Sequence, residues 1–217
     1  MLSKRLVGAF MFLGPILTIV MIIVDEGFIS GSSFAEDLKV MSDNYALATI
    51  TTVGYAIAIL VIFIGIHGLA RSMQGEDKPG SDLAGLASIF AMLLAGVFMV
   101  SLGLQLVATE QLSEWVKEGG DPINAFAISE AIGRSLFVFN GIVTLFLGLA
   151  ILRQKNMSQI VGGFFTFFAV CTLVGGMFSS GDNWGGMMWF IGFLGFPIIT
   201  SVTGFLTLRE ARKEPKK

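Results

Sequence analysis

Six stretches of the chain are apolar for 19 residues or more, and that feature leaves few folds open. They cover residues 6–24, 46–69, 83–108, 132–152, 157–178 and 187–208. At about 1.5 Å per residue, about 20 apolar residues cross the roughly 30 Å hydrocarbon layer of a bilayer. No water reaches that layer, so a spanning segment must satisfy its own amides and carbonyls, as a helix does. Only 14% of the 217 residues are charged, against about a quarter in a soluble domain. The expected fold is an all-α membrane protein, a six-transmembrane-helix bundle forming one domain over residues 1–217. Lys4 and Arg5 before the first run are also typical of a secretory signal. Asp25 and Glu26, however, follow the run where a small-residue cleavage site would stand, so the run is read as an uncleaved span.

The charges are sorted between the two sets of connections. Lys4, Arg5, Arg71, Lys78, Arg153, Lys155, Arg209, Arg212, Lys213, Lys216 and Lys217 lie on one side, 11 of the 14 basic residues. Asp25, Glu26, Glu36, Asp37, Asp43, Glu110, Glu114, Glu118, Asp121, Glu130 and Asp182 lie on the other, 11 of the 16 acidic ones. Short basic loops stay cytoplasmic during insertion. Both termini are therefore expected in the cytoplasm and the acidic loops outside, in a multi-pass protein of the cell membrane.

Two outer connections carry helix signals. Ser33-Phe-Ala-Glu36 is a capping box, and Phe34, Leu38 and Met41 form one apolar stripe, which predicts a short helix on the outer membrane surface. In the second, Leu112, Trp115 and Val116 share a face and Gly119-Gly120 end it, a second short amphipathic helix. Asp121-Pro122 then reads as an N-cap followed by proline at the first helical position. Gly181-Asp-Asn-Trp-Gly-Gly186 reads as a tight outer turn with Trp184 and Trp189 at the interface. The inner Gly75–Gly80 segment reads as a plain turn.

Similar helix ends, Gly65-Ile-His-Gly-Leu69 through Arg71, Gly148 to Arg153 and Gly204 to Arg209, suggest three helical hairpins from one ancestral unit. Small residues at helical spacing, Ala87, Ala91 and Ala95 on the third run and Ala48, Thr52 and Ala56 on the second, let helix backbones approach closely. The same ladders offer faces for self-association or protein partners. Pro15 and Pro197 remove amides from helix interiors. The 20 phenylalanines are expected to face lipid or fill the bundle.

Several chemistries are excluded. His67 is the only histidine and Cys171 the only cysteine, so there is no bis-histidine haem, no disulfide within the chain and no His/Cys metal cluster. No span holds a lysine for a retinal Schiff base or a mid-bilayer carboxylate for a proton relay. Nothing basic and aromatic suggests nucleic acid. No cofactor, no metal and no catalytic residue is assigned.

Six polar positions remain as candidates. Asn140 lies within the fourth span, where an amide demands a partner. His67 stands near the cytoplasmic end of the second span, suited to complement that helix's dipole. Glu130 and Arg134 form an i, i+4 pair at the outer end of the fourth helix. Gln105 and Glu110, at the outer end of the third, can join Arg134 if the two helices form a hairpin.

The opening Lys4-Arg-Leu-Val-Gly-Ala-Phe-Met-Phe-Leu-Gly14, the acidic first outer loop and the Gly148-Leu-Ala-Ile-Leu-Arg153 helix end resemble prokaryotic six-helix membrane families of unknown function. The resemblance implies the fold and brings no site residues. The function expected first is a non-catalytic subunit or scaffold of a membrane complex. The alternative is a small transporter or channel for a weakly polar or lipid-like molecule. The two part on whether Asn140, Thr51, Thr52 and Ser101 converge on a cavity or make dry contacts between helices.

Overall fold

The computed structural model describes residues 2–28, 33–110, 114–155, 157–178 and 184–213. The described residues are helical with no strands. The helices are α1 Lys4–Phe28, α2 Phe34–Asp43, α3 Tyr45–Ser72, α4 Ser81–Thr109, α6 Pro122–Gln154, α7 Gln159–Phe178 and α8 Trp184–Lys213, with a single turn, α5, at Glu114–Lys117. Six of them are long and apolar enough to cross a membrane. All but α7 outrun the apolar stretches: α6 has 33 residues, about 50 Å of helix. Its start is fixed by Asp121, whose Oδ1 accepts from the amides of Ile123 and Asn124 at 3.0 and 3.2 Å, with Pro122 at the first position. Of the expected turn over 181–186, residues 181–183 lie outside the described residues, as does the place of Leu112, while Trp184, Gly185 and Gly186 form the first turn of α8 instead.

The six long helices close into a ring. Each packs along its neighbours in the order α1, α3, α4, α6, α7, α8, and α8 packs back on α1. The chain thus forms three hairpins, α1/α3, α4/α6 and α7/α8. One end of the ring carries Arg71, Lys78, Arg153 and Arg209 and is here called the basic end. The opposite, acidic end carries Asp25, Asp37, Glu110 and Asp121.

Close backbone contact holds the ring, because lipid competes with large apolar side chains for the same surfaces. At the α1/α8 seam a Cβ on Gly8 would stand 2.9 Å from the Gly204 oxygen, and one on Gly204 would stand 2.6 Å from the Met11 carbonyl carbon. At α7/α8 a Cβ on Gly192 would meet the Thr172 amide at 2.7 Å. Alanines and serines serve α4: Ala84, Ala87, Ala91 and Ala95 are all buried within the ring. Ala48 and Thr52 of the second ladder are buried as well, so these ladders make contacts inside one chain.

Outside the ring, α1, α3 and α4 expose large apolar side chains such as Leu13, Ile57 and Leu93. The basic half of the interior is dry and filled, with Met11, Ile62, Phe63, Ile66, Met73, Leu147 and Phe165 almost inaccessible. His67 belongs to this half, its Nδ1 2.9 Å from Ser88 Oγ on α4. The Gly75–Gly80 turn is fastened there as well. Lys78 Nζ donates to the Ser72 carbonyl at 2.9 Å, the Gly75 amide donates to Ser81 Oγ, and Gln154 Nε2 donates to the Met73 carbonyl.

The serine half of the capping box is present: Ser33 Oγ accepts from the Glu36 amide at 3.3 Å. The apolar stripe of α2, however, faces the bundle rather than an open membrane surface. Leu38 and Met41 are buried against Ala48, Ala108, Ala125 and Phe126, and Ser42 Oγ donates to the Thr109 carbonyl at 3.1 Å. The ends of α3, α4 and α6 are small there, so a ten-residue helix fits on them.

The α1/α8 seam gives a direct test of ring closure. Gly204→Ala should destabilise the protein by about 1–3 kcal/mol, the usual result of overpacking. Gly96→Ala, with open space around it, should be neutral or slightly stabilising. Thermal unfolding in detergent compares them, and equal effects would remove this contact as the element that closes the ring.

Candidate functional site

The acidic half of the ring is hollow. Helical periodicity alone places few polar groups inside, and most interior threonines are satisfied on their own helix, although the hydroxyls of Thr49 and Thr200 have no partner. Thr18, Thr51, Thr144, Thr166, Thr172, Thr203 and Thr207 donate to carbonyls three or four residues earlier. These hydroxyls offer little to a ligand. What remains defines three adjoining chambers that meet at Tyr55 of α3 and Phe137 of α6.

The first chamber, about 260 Å³, is polar and lies toward the acidic end. Asp25, Thr51, Thr52, Tyr55, Gln105 and Glu130 contribute to its wall. The second, about 310 Å³, lies on the α4/α6 side, where Ser101, Gln105, Ser129, Glu130, Arg134 and Trp189 line it with Tyr55. The third, about 310 Å³, lies deeper and is apolar. Thr18, Tyr55 and Asn140 are the polar residues in a wall otherwise made of groups such as Ile62, Phe63, Phe98 and Pro197.

An aromatic cluster stands between the polar chambers and the apolar one. Phe137 packs edge-on to Phe193 at 5.4 Å and to Trp189 at 5.8 Å, and Trp189 stacks on Phe193 at 5.1 Å. Phe98 of α4 meets the other edge of Phe137 at 6.4 Å. The α6–α8 ring contacts reach across the lumen between helices that are not neighbours in the ring. Trp189, expected at the interface, is half-buried in this cluster, while Trp184 is exposed at the start of α8. Some of the phenylalanines that fill the bundle therefore form a partition.

Below the partition, Asn140 is 5% exposed. Its Oδ1 has no hydrogen-bond partner, and no bond to its side chain is present among the described residues. A buried amide without partners costs about 1–3 kcal/mol. Asn140 is ten residues along α6 from Glu130, about 15 Å deeper at the helical rise. The site is thus a hollow with charges at its mouth and one unsatisfied amide at its floor.

The structure sorts the expected positions. Gln105, Glu130 and Arg134 come together on one chamber. Glu130 is half-buried, and Arg134 is exposed beside it at the rim. Glu110 caps α4 on the exposed surface and lines none of the three chambers. His67 lies in the dry half, remote from them. Ser101 lines a chamber, yet its hydroxyl is engaged between helices. Ser101 Oγ donates to the Ser129 carbonyl and Ser129 Oγ to the Ser101 carbonyl, both at 2.8 Å.

Sequence reasoning passed over Tyr55, Asp25, Ser129 and the aromatic partition. A tyrosine ten residues inside α3 was the available signal, since its hydroxyl needs a partner in hydrocarbon. The reciprocal serine clasp pairs residues 28 apart and had no local signal.

The clasp is open to a double-mutant cycle. Ser101→Ala and Ser129→Ala should each cost about 1 kcal/mol. Their coupling should be about 0.6 kcal/mol, the average for hydrogen bonds between membrane helices. Strictly additive losses in thermal or SDS unfolding would dissolve the clasp as a unit.

No known protein family, curated protein or solved structure matches this chain.

Proposed function

We propose that the chain is a multi-pass membrane protein that binds a lipid-like amphiphile in the lumen of its helix ring, as a small transporter or carrier would. The observation that carries this is Asn140, a buried amide without a partner on the wall of an apolar cavity. A ligand pocket joins a mostly apolar wall to a few polar groups that fix orientation. The third chamber has that form, and the polar chambers beside it suit a headgroup.

The basic half supports one-sided access. Met11, Phe63, Ile66 and Leu147 fill the ring below the chambers, so the hollow opens toward the acidic end. The distribution of charge supports a reading with that end outside the cell and both termini inside. In this reading the protein accepts its ligand from the outer side. Among the four residues on which the two functional expectations part, Ser101 and Thr51 have internal partners, whereas Asn140 favours binding. The bilayer is the partner this reading requires; the subunit reading would be supported instead by a second protein co-purifying in fixed ratio.

Orientation has a simple test, because the native Cys171 is buried. A cysteine at Glu118 should react with a membrane-impermeant maleimide on intact cells, and one at Lys78 only after lysis. The reverse pattern would invert the topology.

The ligand test uses Asn140→Leu. Protein extracted mildly from its own membrane should carry a small amphiphile visible by native mass spectrometry, and the variant should lose most of it. Without ligand, Asn140→Leu should be more stable than wild type by about 1–3 kcal/mol, since an unsatisfied amide is gone. A variant that keeps the ligand, or a wild type that never holds one, would count against the proposal.

A further inference from the structure

The α1/α8 seam behaves differently in its two halves. Toward the basic end it is tight: Gly8 meets Gly204, the rings of Phe12 and Phe205 pack at 6.2 Å with a 47° tilt, and Ser201 Oγ donates to the Phe12 carbonyl at 3.4 Å. These contacts set the register of the two antiparallel helices. In that register Pro15 of α1 and Pro197 of α8 fall at matching depth, one turn beyond the Phe12–Ser201 bond.

Past the prolines, toward the acidic end, the apolar chamber occupies the seam. Its wall includes Ile19, Ile22 and Ile23 of α1 and Leu194 of α8. Three of these also lie on the outer surface of the ring, with Ile19 39%, Ile23 64% and Leu194 41% exposed. The same chamber therefore reaches from Asn140 inside to the surface that bilayer chains would cover. Proline withholds an amide from the carbonyl four residues earlier, so at this level α1 and α8 each lack one rung of the ladder that stiffens a helix.

We infer that the lumen is loaded sideways, by a membrane lipid with an amine-bearing head that enters between α1 and α8 from the leaflet on the acidic side. This rests on the lumen being a binding site. The lipid's chain lies along Ile19, Ile23 and Leu194. Its polar linkage meets the Asn140 amide, which sits about as far above the basic end as Thr18 does. Its head rises past Tyr55 into the chamber that holds Asp25 and Glu130. Two carboxylates on one small chamber complement an ammonium group, and the polar linkage supplies the hydrogen bond that Asn140 lacks. A fully water-soluble ligand would have no use for a chamber open to hydrocarbon.

The test is photolabelling in liposomes with a phosphatidylethanolamine that bears a diazirine on its acyl chain, followed by peptide mass spectrometry. In the wild-type protein, labels should appear on lumen residues such as Phe63 and Phe98 as well as on outer ones such as Ile57. Filling the portal with Ile19→Trp and Leu194→Trp together, both at exposed positions, should cut lumen labels at least tenfold. Ile198→Trp, exposed on the outer face away from the chamber, should leave them unchanged. The single tryptophan variants serve if the pair unfolds. Lumen labels that survive a filled portal would overturn sideways entry while leaving the binding site. Labels confined to outer residues in the wild type would overturn both. An equally labelling phosphatidylglycerol analogue would overturn the amine head.

Discussion

Closure of the ring at Gly8 and Gly204 is the contact on which the remaining architecture depends. Six helices that each touched only their sequence neighbours would form an open arc, and a lipid-filled arc has no lumen. Because α8 returns to α1, the space between helices becomes an interior, and side chains that would face lipid come to face one another. Hydrocarbon gives no drive for burying one large apolar group against another, so closure depends on backbones that can approach within van der Waals distance. Two glycines at one level supply that approach, and a single Cβ on either would displace it.

Closure also sets where the ring can be hollow. Near the glycines the helices are close and large side chains such as Met11 and Phe63 fill the core completely. Farther along, past the prolines, the apolar chamber is lined by α1 and α8 together, and Phe137 of α6 packs on Phe193 and Trp189 of α8. Phe137 meets the other two rings edge-on and Trp189 stacks on Phe193, so the three rings pack on one another. The chambers lie on both sides of that aromatic cluster.

Much of the fold was legible in the sequence because its signals are local. Hydropathy marks the six helices, Ser33 and Asp121 mark two helix starts, and the glycine-rich turns mark connections. The ring was not legible, since it rests on a contact between residues 196 positions apart. The prolines show the same limit. Compared as members of hairpins they occupy unrelated positions; set side by side on α1 and α8 they fall level. The candidate site was legible one residue at a time. Asn140, Gln105, Glu130 and Arg134 stood out because polar groups are rare in these spans. Tyr55 and Ser129 did not, being ordinary residues made important by what faces them. Trp189 was placed at the interface because tryptophan prefers it, and tertiary contact with Phe193 outweighed that preference.

In the proposed reading, Asn140 sets stability against ligand binding within one side chain. Leucine in its place would pack against the phenylalanines and leave no amide short of a partner, so the empty protein would gain about 1–3 kcal/mol. Serine or threonine there could bond to the carbonyl four residues back, as Thr144 does one turn later to the carbonyl of Asn140 itself. Asparagine can bond back in the same way, as Asn44 does to the Val40 carbonyl at the end of α2, but the Asn140 amide makes no such bond and is part of the wall of the apolar chamber. An amide fixed there, beneath rings that exclude water, interacts more strongly with an incoming polar group than it would in solvent. The group that meets it removes the cost of burying it, and that difference between empty and filled states is the free energy available to hold a ligand in an otherwise greasy chamber.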